Sequence, residues 1–121
     1  PAPTPPTNNV TSTDTILVQK ENSLHKISVD NILLFESEER RTFAVLKNGR
    51  YEVKRNLGQL EEALATRNFM RVSKSALVNM SKVVSFTPDV DRTISATLAG
   101  KIIVRVSRKH ARAFKEKLHT L

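Results

Sequence analysis

A chain of 121 residues has room for one domain, and with 39% hydrophobic residues it can build one core. It has no cysteine, which excludes a disulfide scaffold, a thiolate zinc site and a cysteine nucleophile together. The formal net charge is +8; beyond residue 91, eight cations stand against Glu116 alone, so residues 92–121 carry +7 of it.

Residues 1–14, PAPTPPTNNVTSTD, hold four of the five prolines among Thr, Ser and Asn. Such a composition has nothing to bury and reads as a disordered linker or tail, with the folded domain expected over residues 15–121. Ile16-Leu17-Val18 and residues 24–27 flank Glu21-Asn22-Ser23, the pattern of a hairpin. Residues 29–35 are apolar and β-branched at first, and read as a strand closing at Glu36. Residues 37–42, SEERRT, are polar enough to form a charged loop, in which Glu38 and Glu39 are expected to pair locally with Arg40 and Arg41. Residues 43–47 and 51–54 are two more strands, with Asn48-Gly49 between them as a type I′ corner.

Two stretches carry helical spacing. Asn56 is placed to cap the first, with Gln59 as capping-box partner and Leu57, Leu60, Ala63 and Leu64 on one face. Ser107 is placed to cap the second, in which Ala111, Phe114 and Leu118 share a face and Arg108, Lys109, Arg112, Lys115 and Lys117 cover the others. Between them lie strand-like residues 69–72, 77–78, 83–86, 94–98 and 102–106, with turns at Thr87-Pro88-Asp89 and Ala99-Gly100. A mostly β domain with two short helices follows. Phe35, Phe43, Phe69, Phe86 and Phe114 all lie in apolar patterns and are expected in the core. The apolar runs fall far short of the roughly 20 residues of a membrane span, and no charged-then-apolar leader opens the chain. We therefore expect a soluble, cytoplasmic protein.

An enzyme is not indicated. His25, His110 and His119 have no metal-binding spacing, three glycines cannot make a phosphate-cradling loop, and no serine sits in a nucleophile elbow. No catalytic residue, metal, cofactor or small-molecule substrate is expected. The positive clue is cationic. Arg40-Arg41-Thr42, Arg71-Val72-Ser73-Lys74-Ser75 and Ser107-Arg108-Lys109 each place short polar or basic side chains at the end of a strand. Arg and Lys can reach guanine O6 and N7 in a major groove, Ser and Thr can donate to phosphate, and a helix N-terminus at Ser107 aims N–H groups at one. Aromatic residues make up 5%, too few to stack unpaired bases once the core is filled, which favours duplex DNA over single strands. The alternative is a basic module that docks on an acidic protein or a membrane surface without reading sequence.

The order of motifs resembles the LytTR DNA-binding domain. Asp30-Asn31-Ile32-Leu33-Leu34-Phe35-Glu36 is similar to its D-I-x-x-[FI]-E strand, and Asn56-Leu57-Gly58-Gln59-Leu60-Glu61 to its helix. Phe69-Met70-Arg71-Val72-Ser73-Lys74-Ser75-Ala76-Leu77-Val78-Asn79 matches its F-x-R-[VI]-[HS]-[RK]-S-x-[LI]-V-N segment, and Val104-Arg105-Val106-Ser107-Arg108 its closing [IV]-x-[VI]-S-R. The resemblance implies small antiparallel sheets with little helix, and the DNA-binding output domain of bacterial transcription regulators. It implies binding to paired direct repeats, with loops in successive major grooves and a bent duplex, and a dimer on DNA. By the same carry-over, Arg41, Lys74 and Arg108 face the grooves, while Arg40, Ser73, Ser75 and Lys109 support phosphate contacts; Arg71 and Ser107 complete the set. Many relatives have His where Ser73 stands. The Ser-Lys-Ser form resembles short regulators that work with a membrane-protein partner, and the proline-rich start leaves room for an upstream receiver domain.

Overall fold

Two strands joined by a tight corner open the described part of the chain, residues 15–119 of a computed structural model; the expected tail over 1–14 lies outside it. β1 (Thr15–Lys20) and β2 (Ser23–Ser28) pair antiparallel from Thr15↔Ser28 to Lys20↔Ser23, the expected hairpin. β3 (Leu34–Glu38), β4 (Arg41–Leu46), β5 (Gly49–Val53), β6 (Phe69–Ser73) and β7 (Ala76–Asn79) join them in one seven-stranded antiparallel sheet, in the order β2-β1-β5-β4-β3-β7-β6. β8 (Val83–Pro88), β9 (Ile94–Leu98) and β10 (Ile102–Val106) form a second, three-stranded meander. α1 (Leu57–Ala63) and α2 (Arg108–His119) are the two helices.

Strand alternation sends side chains to both faces of the large sheet, and each face has its own cover. One face, with Phe35, Ala44, Val53, Phe69 and Leu77, packs under α1 through Leu57, Leu60 and Leu64, and is closed by Val18, Val29 and Ile32. The other, with Leu34, Val72, Ala76 and Val78, meets Ile94, Ala96, Leu98 and Val106 of the small sheet and Ala111 and Phe114 of α2. The sheet is thus the middle layer of a mostly β, three-layer domain. The capping box at α1 is as expected: Gln59 N–H donates to Asn56 Oδ1 at 2.8 Å, and Asn56 N–H to Gln59 Oε1 at 3.0 Å.

Several local expectations are corrected. Residues 29–31 are a single 3-10 turn that buries Val29, not the start of a strand. The charged segment 37–42 is not a loop: β3 runs to Glu38, β4 begins at Arg41, and only Glu39-Arg40 make the corner, with φ of 52° and 68°. That is the pair of positive φ values a type I′ corner requires, here without glycine. At the next corner Thr42↔Val53 and Ala44↔Tyr51 set the register, which puts Leu46 opposite Gly49 and makes Lys47-Asn48 the turn. Gly49 instead opens β5 at φ +152°, where a side chain would be strained. Pro88 closes β8 opposite Ile94, so the turn begins at Asp89. Phe43 belongs to neither core cluster, and its ring lies under Arg50, 3.8 Å from the guanidinium carbon.

Asn79 fastens the sheet to the segment before β3. Its buried side-chain amide donates to Ile32 O at 2.9 Å, its Oδ1 accepts from Ser81 N–H at 3.0 Å, and its backbone N–H donates to Leu33 O. Asn79→Ala leaves the buried Ile32 carbonyl without this partner. We expect about 1–3 kcal/mol of lost stability, the cost of an unsatisfied buried group, readable as a shift in urea midpoint.

Candidate nucleic-acid interface

Strand direction decides where the three cationic segments end up. β3 and β7 are antiparallel, with Glu36 opposite Ala76, so the outgoing end of β3 and the incoming end of β7 share one edge of the sheet. The Glu39-Arg40 corner and the Lys74-Ser75 turn therefore lie on the same edge, and Ser37 N–H joins the two by donating to Ser75 O at 2.9 Å. Ser107 N–H donates to Val72 O at 2.9 Å, which seats the start of α2 beside the end of β6. An open groove of about 790 Å³ runs between that turn and the helix start, with Lys74, Ser73, Ser107, Lys109 and His110 among its lining. Segments more than 30 residues apart in sequence thus converge.

Within this edge the expected residues divide by role. Arg40, Lys74, Ser75, Arg108 and Lys109 are exposed, and the four cations keep their charge unpaired among the described residues. Ser73 and Ser107 are half-buried and locally engaged. Ser73 Oγ accepts from Ser75 N–H at 3.2 Å, which shapes the turn, and Ser107 Oγ lies 2.8 Å from His110 Nδ1. Arg71 does not project: its guanidinium turns back onto the turn it precedes.

Arg41 is also committed. Its Nε and Nη2 donate to the two carboxylate oxygens of Glu52 at 3.1 and 2.8 Å, a bidentate pair, and it lies 5.4 Å from the Phe43 ring centroid. Hydrogen bonding to Arg41 holds the Glu52 carboxyl below its ordinary value, and the same bond raises Arg41. Glu38 pairs with Arg50, which also bonds Glu36 at 2.9 Å. Glu38 and Arg41, expected to pair locally, therefore bridge across to Arg50 and Glu52 of β5, while Glu39 keeps an electrostatic pull on Arg41. Along β3, β4 and β5, Glu38, Arg41 and Glu52 lie on one face with Phe43, so strand register brings these charges together.

Two cations passed over in the sequence lie on the same edge. β5 ends at Val53 opposite Thr42, so Lys54 and Arg55, both exposed, follow it to the edge that carries Arg40. They satisfy the strand-end rule applied to the other three segments. Among the described residues no group of His, Asp and Glu is arranged to hold a metal ion, and no helix is long and apolar enough to cross a membrane.

Residues 22–119 match the LytTr DNA-binding domain family. The chain is 27% identical over 105 residues to the sensory transduction protein LytT of Enterococcus faecalis, and 24% over 110 residues to the sensory transduction protein LytR of Staphylococcus saprophyticus. These alignments take in 87% and 90% of this chain but 43% of each relative, so the chain spans less than half their length. An uncharacterised HTH-type transcriptional regulator of Staphylococcus aureus is 24% identical over 111 residues, covering 92% of this chain and 75% of the relative. The solved LytTr DNA-binding domain of a Bacillus cereus response regulator superposes with a TM-score of 0.81 at 19% identity, over 87% of this chain and 96% of that one, which establishes the shared fold.

Proposed function

Because this chain belongs to the LytTR family, the DNA-binding domains of transcription regulators and not a family of enzymes, we propose that it reads duplex DNA through the edge shared by the Glu39-Arg40 corner, the Lys74-Ser75 turn and the start of α2. The observation that carries this reading is the convergence of unpaired cations from three distant segments on one edge. Attraction begins with the basic surface, where Arg40, Lys109, Lys54 and Arg55 displace counterions from phosphates irrespective of sequence. Lys74 and Arg108 reach base edges in a major groove, and Ser73, Ser75 and Ser107 add donors toward the backbone. Arg41 at the start of β4 enters a second groove, which it reaches only by loosening its pair with Glu52. Bending the duplex lets one small domain touch both grooves, at a deformation cost that depends on sequence.

On this reading the operator is a pair of direct repeats bound by two copies, the domain acts in the cytoplasm, and its signal arrives from a receiver domain or a membrane-protein regulator. Selection from a random duplex library tests it. Enrichment of two repeats about one helical turn apart, with log K falling linearly in log salt, is the expected result. Salt-sensitive binding with no enriched sequence would reduce the domain to a basic docking module.

A further inference from the structure

Arg71 falls within the segment read as DNA-contacting, yet its geometry gives it a different task. Its Nε donates to Ser73 O at 2.9 Å, its Nη2 to Lys74 O at 2.8 Å, and its Nη1 to Glu61 Oε1 of α1 at 3.1 Å. Every guanidinium nitrogen is engaged, and two of the three acceptors are main-chain carbonyls of the turn that displays Lys74. The β6–β7 register shifts between Arg71 and Ser73, just before the turn, so the ladder leading into it is irregular. Glu61 supplies the fixed point, since α1 is anchored to the sheet by buried Leu57 and Leu60.

We propose that Arg71, oriented by Glu61, is a positioning residue for DNA reading: it clamps the Ser73-Lys74 backbone so that the Lys74 ammonium meets a base edge in one geometry. The inference rests on Lys74 reading a base, as proposed above. A planar fork spreads its donors over three nitrogens and meets two carbonyls and a carboxylate in fixed directions, whereas a lysine presents its three donors from a single atom. Arg71 therefore acts on specificity through Lys74, whereas a direct phosphate contact would act on affinity for any duplex.

The experiment measures binding of the whole chain to its selected duplex and to a scrambled one, across salt, for Arg71→Ala, Arg71→Lys, Glu61→Ala, Lys74→Ala and the Arg71→Ala/Lys74→Ala double variant. We expect Arg71→Ala to lower the selected-to-scrambled affinity ratio about 10-fold, within the range of one base contact, with Arg71→Lys recovering little. The salt slope should stay unchanged, and in the Lys74→Ala background the same substitution should cost almost nothing. Glu61→Ala separates the two roles by sign. Removing an acidic group beside the groove tightens binding to any duplex if only charge matters, but lowers the affinity ratio if Glu61 orients the clamp. The positioning role is overturned if the Arg71→Ala and Lys74→Ala losses add, or if the slope falls by about 0.9, the signature of one lost phosphate contact. Should Arg71→Ala unfold by circular dichroism, Arg71→Lys and Glu61→Ala decide by the same ratio. A Lys74→Ala variant that binds normally would remove the base contact itself, a failure distinguishable because it appears without touching Arg71.

Discussion

Lys74→Ala and Arg108→Ala are each expected to weaken binding to the selected duplex 10-fold or more, in line with the ~1–3 kcal/mol that a good base contact contributes. Both side chains are exposed and free of ion pairs within the described residues, so removing either leaves no buried group unsatisfied and the fold intact. Binding to scrambled DNA should fall much less, because each variant removes only one cation from a chain of net charge +8. Fluorescence anisotropy with both duplexes at fixed salt checks this, with circular dichroism as the control for folding. Normal binding by both folded variants would show that the edge is used through other residues.

Phe114→Ala is expected to be the most damaging core substitution within α2, at about 3–5 kcal/mol. The ring is wholly buried between the helix and the sheets, edge-on to Phe86 at 5.8 Å between centroids. A 12-residue helix is marginal on its own in water, and α2 holds its place through the stripe Ala111, Phe114 and Leu118. At roughly 4–8 °C per kcal/mol for a domain near this size, the thermal midpoint should fall by more than about 12 °C. Arg112→Ala is the contrasting variant on the solvent face of the helix. Its side chain is 90% exposed and its Glu116 pair is a surface one, so its effect should stay within about 0.5 kcal/mol. Because α2 presents Arg108 and Lys109 from its first turn, Phe114→Ala should also reduce DNA affinity at temperatures where the variant is still folded.

Local signals in the sequence carried most of the secondary structure. The Asn56–Gln59 box, the apolar stripe on α2 and the apolar segments flanking Glu21-Asn22-Ser23 and Ala99-Gly100 depend on neighbours a few residues away, and each took the expected form. The Glu39-Arg40 corner was hidden because SEERRT has the composition of a loop. Its strand character comes from partners in other strands, with Glu38 reaching Arg50 and Arg41 reaching Glu52. Gly49 misled for a related reason: the turn position follows from register, and cross-strand pairing outweighed the Asn-Gly dipeptide. Phe43 has apolar neighbours in sequence, yet its half-buried ring serves as a platform for Arg41 and Arg50.

The cationic segments themselves were legible, but their convergence was not. It depends on the antiparallel course of β3, β7 and β6 and on the Ser107–Val72 hydrogen bond, none of which has a sequence signature. Arg71 shows the limit most plainly. In the string Arg-Val-Ser-Lys-Ser it looks like one more projecting cation, and only the placement of Glu61 and two carbonyls turns it inward.

On the proposed reading, one edge of the seven-stranded sheet meets the DNA. Amide chemical-shift mapping of the labelled chain titrated with its selected duplex tests it most directly. The largest changes are expected at Arg40, at Lys74-Ser75 and at Arg108-Lys109, with β2 and the outer face of the small sheet undisturbed. Changes centred on β2 or on that outer face, with the edge silent, would contradict it.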